Sequence, residues 1–258
     1  MTRLTIGILA LNEAARIDAC VRSAAFADQV LVMDGGSTDD TQAIARAAGA
    51  EVLVRADWAG FGEQRTRLLQ AATGDWLFYL DADETIPPPL ADEIRAAVSR
   101  NQPLVGEIVW EQHAFGGSLA RMSAGHALPR LFPRAALLGF EGAVHEGPRL
   151  ARDDLPRLRF ATRLVHHSRE TVHASLLKLA QYVQLGALKR ARAGKRGGVW
   201  RGLASGGANF IRVYLFQRGF LCGRAGFLHS YFVGLECFFR YVALEVDRDR
   251  LTEPARRA

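Results

Sequence analysis

Trp76-Leu-Phe-Tyr-Leu-Asp-Ala-Asp-Glu84 is a run of large apolar residues that ends abruptly in carboxylates. A continuous apolar run of this length reads as a strand buried on both faces, as in a parallel sheet covered by helices. Outward from it, Leu4 to Leu9 and Gln29 to Met33 are two more buried runs, and Glu51 to Arg55 is a further strand. Between these runs the period changes. Ile17, Cys20, Val21 and Ala24 recur at helical spacing, as do Thr41, Ile44, Ala45 and Ala48, and a third helix is expected over Gly62 to Ala72. Ser37 or Thr38 is expected to cap the second helix, and Gly49 to close it in the left-handed conformation. Beyond the carboxylates, Pro87-Pro-Pro leads into a helix with Leu90, Ile94, Ala97 and Val98 inward. Strand and helix alternating with short connections predict an α/β protein with a mostly parallel sheet flanked by helices.

The composition agrees. With 258 residues, 49% hydrophobic and 23% charged, the chain is neither disordered, collagenous nor coiled-coil. Three scattered cysteines, Cys20, Cys222 and Cys237, make no disulfide framework and have no zinc-ligand spacing, so a reduced cytoplasmic setting is expected. The apolar run near Met1 is too short for a signal-peptide core, and Phe227 to Leu244 is broken by Glu236 and Arg240, so no membrane span is expected. The division expected is a sheet-bearing domain over 1–168, with halves 1–100 and 101–168, followed by basic amphipathic helices over 169–258.

Ligands of such sheets bind beyond the carboxyl ends of the strands. There the sequence places Asn12 and Glu13, then Asp34, then Asp81 and Asp83. On a strand, alternate residues project to one side, so Asp81 and Asp83 are expected to converge on a cation or a polyol. Alternatively the acidic residues only cap the proline-led helix. Asp34-Gly-Gly-Ser-Thr-Asp-Asp-Thr41 combines a tight turn with an acceptor, and it also reads as a simple capping turn. Val144-His145-Glu146 sets a carboxylate beside an imidazole in a glycine-flanked turn, a general-base candidate. No G-x-G-x-x-G follows the first strand and no G-x-x-x-x-G-K-[ST] occurs, which disfavours a dinucleotide dehydrogenase and a P-loop enzyme.

Ile6-Gly-Ile-Leu-Ala-Leu-Asn-Glu13, Asp34-Gly-Gly-Ser-Thr-Asp-Asp-Thr41, Trp58-Ala-Gly-Phe-Gly-Glu-Gln-Arg65 and Ala72-Thr-Gly-Asp-Trp-Leu-Phe-Tyr-Leu-Asp-Ala-Asp-Glu84 together resemble the inverting glycosyltransferases of family 2, with a GT-A fold. Arg130-Leu-Phe132, Val144-His145-Glu146 and His166 are similar to the bacterial lipopolysaccharide-core glucosyltransferase branch. The resemblance covers most of residues 3–190 and implies roles. Asp34 would hydrogen-bond the uracil of a UDP-sugar, and Asn12, Glu13, Gln64, Arg65 and Asp81 would line the donor. Asp83 would hold Mg²⁺ or Mn²⁺ against the diphosphate, with His166 a further ligand candidate. Glu146 would deprotonate the acceptor hydroxyl, and Arg130 and His145 would lie on the acceptor or diphosphate side. Thr66 stands where that branch has Asn, and the Gly-Trp preceding its Arg-Leu-Phe is replaced by Met122-Ser-Ala-Gly-His-Ala-Leu128.

From Thr171 to Leu235 there are ten Lys and Arg and no Asp or Glu, leaving 23 basic against 27 acidic residues elsewhere. Aromatic, basic helices suit the anionic face of a bilayer, and a peripheral position on the cytoplasmic face of the inner membrane is expected. Otherwise the aromatics pack internally and the arginines are solvated. No nucleic-acid motif accompanies the charge, so no nucleic-acid partner is expected. The expected activity is transfer of a hexose, glucose being favoured, from a UDP-sugar to a lipopolysaccharide-core or other lipid-linked glycan. A polyprenyl-phosphate acceptor and a non-catalytic sugar-nucleotide binder are the competing readings.

Overall fold

The computed structural model describes residues 2–57, 60–123, 125–141 and 147–251. Contacts divide the chain into two units, one of residues 1–110 and 125–166, the other of 111–124 and 167–258. Residues 111–124 group with the helical unit.

In the first unit the chain runs β1 (Leu4–Ala10), α1 (Ile17–Ser23), β2 (Gln29–Asp34), α2 (Thr41–Ala47), β3 (Glu51–Val54), α3 (Phe61–Ala71), β4 (Trp76–Asp81), β5 (Glu84–Thr85), α4 (Pro88–Ser99) and β6 (Val105–Ile108). The chain then leaves for β7 (Trp110–Ala114) and β8 (Gly117–Ser118), most of which belong to the second unit, and returns for β9 (Leu128–Pro133), β10 (Leu137–Glu141), β11 (Gly147–Leu150), β12 (Arg157–Arg159) and the start of β13 (Leu164–Arg169). The main sheet has the order β12-β6-β9-β4-β1-β2-β3. β1 pairs in parallel with β2 and β4, and β2 with β3. β9 alone runs antiparallel to both its neighbours, β4 and β6. The α/β architecture and mostly parallel sheet read from the apolar runs are therefore present.

Every residue of β1 is buried because a strand covers each edge and helices cover each face. Ile6, Ile8, Phe78 and Leu80 pack on one side with Ile17, Leu90 and Ile94. Leu9, Leu31, Leu77 and Tyr79 pack on the other with Leu68 and Leu69. That is the period-two alternation of a strand sorting its side chains between two layers. Gly7 allows α3 to sit directly on β1, since a Cβ there would come within 2.1 Å of Leu68 Cδ2.

The second unit is built on α5 (Val172–Arg192), α6 (Val199–Ile211) and α7 (Gly223–Val246). Thr171 caps α5 by accepting from the Ala174 N–H at 3.1 Å. Phe115, Leu179, Val183, Ala225 and Phe232 form its core. The C-terminal helices expected from the sequence are present, and α7 takes in Gly223 and Gly226.

Candidate active site

The carboxyl ends of β1, β2 and β4 carry the loops that the sequence singles out. Asp34, the last residue of β2, is fully buried. Its Oδ1 accepts from the N–H groups of Gly36 (3.0 Å) and Ser37 (2.8 Å) and from Gln42 Nε2 (2.8 Å), while Ser37 Oγ donates to Oδ2 at 2.5 Å. The β1 loop is tied to the same turn. Asn12, at φ +54°, donates its N–H to Ser37 Oγ (2.8 Å) and accepts from the Thr38 N–H at Oδ1 (2.9 Å). The Glu13 N–H donates to Thr41 Oγ1 at 2.7 Å, and the Glu13 carboxylate pairs with Arg16. Ser37 and Thr38 are therefore not helix caps. α2 starts later, after Asp40, with no side-chain cap bond, because both residues are committed to joining the two loops.

Asp81 and Asp83 do not share one side of a strand. β4 ends at Asp81 and the chain turns at Ala82 and Asp83, so the two carboxylates meet different partners. Asp81 Oδ1 pairs with Arg65 Nη2 at 3.1 Å and Oδ2 with Arg130 Nη2 at 2.7 Å. Burial alone would raise the Asp81 carboxyl, but the guanidiniums of Arg130 and Arg65 outweigh it and hold it well below the usual carboxylate range. Nor do these carboxylates cap the following helix, whose start at Pro87 has no side-chain cap bond.

Beneath Asp81 lies a buried network. Arg130 Nη2 also reaches Glu84 Oε1 at 2.8 Å, and Glu84 is fully buried. Trp110 Nε1 donates to Glu84 Oε1 at 2.5 Å and the Asp81 N–H to Oε2 at 2.8 Å. Burial, with the Asp81 charge adding, pushes the Glu84 carboxyl up to about 7 against the pull of Arg130. Burial would lower Arg130, but Asp81 and Glu84 keep it firmly charged. Arg130 thus sits under the carboxylates, and its Nη1 has no hydrogen-bond partner among the described residues.

Asp83 faces His166 instead, with Oδ2 and Nε2 at 3.5 Å. The register of β13 on β5 brings this about, pairing His166 with Glu84 and Val165 with Thr85. The His166 ring lies against Trp110 at a centroid distance of 4.6 Å, which fixes its plane. A separation of 3.5 Å is long for a strong hydrogen bond. It is close to the roughly 3 Å between neighbouring ligands of a six-coordinate ion with bonds of about 2.1 Å. The carboxylate is a hard oxygen donor that suits Mn²⁺ or Mg²⁺ with other positions left to phosphate oxygens, whereas the imidazole is a ligand that fits a transition metal such as Mn²⁺ better than Mg²⁺. No group of three or more His, Cys, Asp or Glu side chains able to hold a metal occurs among the described residues.

Of the remaining sequence candidates, Gln64 is fully buried on α3, donating weakly to the Arg55 carbonyl at 3.4 Å, and its Oε1 has no partner among the described residues. Arg65 is held over the rings of Tyr79 and Phe140 at 5.8 and 5.7 Å. Thr66 accepts from the Phe140 N–H at 3.1 Å, so this position fastens α3 to β10. His145 and Glu146 lie outside the described residues. The sequence reading assigned no role to Glu84 or Trp110. Glu84 follows the acidic pair and had a signal to offer; nothing local marks Trp110.

Residues 5–154 match the sequence profile of Glycosyl transferase family 2, more than half of the chain, and the chain belongs to that family. An uncharacterised glycosyltransferase of Rickettsia felis is 40% identical over 95 residues, 36% of this chain and 33% of that protein. The lipopolysaccharide core biosynthesis glycosyltransferase LpsC of Rhizobium meliloti is 24% identical over 234 residues, 88% of this chain and 86% of that protein. The matches span only 33%, 35% and 43% of the length of the first three curated relatives. Among solved structures, glucosyl-3-phosphoglycerate synthase from Mycobacterium tuberculosis in complex with Mn²⁺, UDP and glucosyl-3-phosphoglycerate superposes with a TM-score of 0.46 at 21% identity, covering 77% of this chain and 82% of that one.

Proposed function

We propose that the chain transfers a hexose, with inversion, from a UDP-sugar to a lipopolysaccharide-core or other lipid-linked glycan, at the cytoplasmic face of a membrane. The observation that carries the donor half is the Asp83 and His166 pair, 3.5 Å apart, beside the Asp81, Arg130 and Glu84 network at the carboxyl ends of the parallel strands. The acceptor half is supported by the Arg130-Leu-Phe132 and Val144-His145-Glu146 motifs and by LpsC, which is matched over most of both chains. No helix among the described residues is long and apolar enough to cross a membrane.

In this reading Asp83 and His166 hold Mg²⁺ or Mn²⁺, which when bound neutralises the charge growing on the departing diphosphate. Asn12, Glu13 and Asp34 flank the base, with Gln64 and Arg65 lining the donor. Asp81, clamped between two arginines, presents a fixed acceptor to the ribose or sugar hydroxyls. Arg130 acts as a positioning residue, and His145 lies on the acceptor side. Glu146 takes the acceptor proton, since an alcohol is too weak an acid to attack unaided.

Two experiments separate the parts. In a thermal-shift assay the native chain should gain stability from UDP with Mn²⁺, and Asp83→Asn should lose that gain together with turnover. A variant that still responds to UDP only when Mn²⁺ is present would remove Asp83 from the metal. For the base, Asp34→Asn retains acceptors for the loop N–H groups and the volume of the side chain, but removes the charge. UDP affinity should fall by about 1.5–3 kcal/mol, the usual worth of a charged hydrogen bond. Reading the uracil N–H requires Ser37 Oγ to rotate away from Oδ2. Calorimetric titration checks this, and equal affinities would take Asp34 out of the donor site.

A further inference from the structure

The helical unit carries a surface that glycosyl transfer leaves unused. α6 packs on α7 through glycines: a Cβ on Gly202 would meet the Phe238 carbonyl oxygen at 2.8 Å, and one on Gly206 the Gly234 carbonyl oxygen at 2.9 Å. That stripe decides which side of α6 faces inward. The opposite side of a surface helix is ordinarily polar. Here it presents Trp200 and Ile211, with Leu203 exposed on its flank and Trp200 82% exposed. The chain continues through a π-helical turn, Arg212–Phe216, that leaves Phe216 77% exposed. The apolar surface then extends onto α7, where Phe227 contacts Tyr214 at 5.8 Å and stacks on Tyr231 at 6.1 Å.

Exposed apolar side chains this continuous mark an interaction surface. Charge says what covers it. Arg201, Arg212, Arg218 and Arg224 are exposed around the ridge, and no Asp or Glu occurs from Thr171 to Leu235. A second copy of the same face would meet it with like charge. An anionic bilayer satisfies both halves of the pattern: the apolar ridge enters the boundary of the acyl chains, and the guanidiniums bind lipid phosphates. We infer that this face of α6 and the start of α7 docks the chain on an anionic phospholipid surface. The inference deepens the membrane position in the proposed function and rests on that part of the reading, while the donor site is independent of it.

The test uses the full chain and vesicles of phosphatidylcholine with and without phosphatidylglycerol. Co-sedimentation should occur only with the anionic vesicles and weaken as salt is raised. Arg201→Ala with Arg212→Ala should lower partitioning roughly thirtyfold, the effect of removing two surface cations. Trp200→Ser with Phe216→Ser should abolish it. Insertion has its own readout: brominated acyl chains should quench the native fluorescence, and Trp200→Phe, which keeps the fold, should lose that quenching. UDP affinity should be the same in all these variants. Absence of binding to anionic vesicles overturns the inference, as does equal quenching in Trp200→Phe. So does a dimer in light scattering that Trp200→Ser with Phe216→Ser converts to monomer.

Discussion

Glu146→Gln should lower turnover by about 10²–10⁴-fold, the range for losing a general base, while leaving UDP affinity nearly unchanged. The acceptor hydroxyl keeps its proton in the ground state, so a base that acts on it contributes only as the bond to the sugar forms. Glutamine keeps the volume and much of the hydrogen-bonding shape of glutamate, so a folding defect would not imitate the loss. The measurement is single turnover with saturating UDP-glucose and a lipopolysaccharide-core extract, alongside calorimetric titration of UDP. Unchanged turnover would sink the role of Glu146 and favour a phosphate acceptor, which arrives already ionised and needs no base. Lost UDP binding would move Glu146 to the donor side.

The second large effect is on stability. Arg130→Met should cost about 3–5 kcal/mol, because its removal leaves the buried Glu84 carboxylate without a cation, whereas Asp81 keeps its pair with Arg65. Arg130 is 5% exposed and Glu84 not at all, so water cannot replace the lost partner. Adding Glu84→Gln should recover part of the loss by removing the stranded charge. Urea denaturation of the native chain, the single variant and the double variant checks both statements. A loss below about 1 kcal/mol would show that the network is not held by Arg130.

Arg130 also shows how the location of a motif stays hidden in the sequence. Arg130-Leu-Phe132 was legible as a signature, and the resemblance put the arginine on the acceptor or diphosphate side. The antiparallel pairing of β9 with β4 carries it beneath the end of β4, where Nη2 serves Asp81 and Glu84 together. Strand pairing between residues some fifty apart leaves no trace in either local sequence. Asp83 and His166 are a second instance: each was a metal candidate, and only the register of β13 on β5 makes them neighbours.

The sequence by itself determined the elements and the layers. Buried runs at Leu4 to Leu9, Gln29 to Met33 and Trp76 to Leu80, with helical spacing between them, suffice for a parallel sheet covered on both faces, because burial is set by side-chain period and that is local. It also placed the polar loops at the carboxyl ends of β1, β2 and β4, since right-handed crossovers leave those ends on one edge. Tertiary structure decided which polar atoms meet. Ser37 looked like a helix cap and became the link between Asp34 and Asn12; Asp83 left the strand line of Asp81 at a turn; Trp110, unmarked in sequence, closes the network on Glu84. A hydrogen bond forms or fails over a few tenths of an ångström, and distances between separate elements at that scale are set by packing and register, which no single stretch of chain contains.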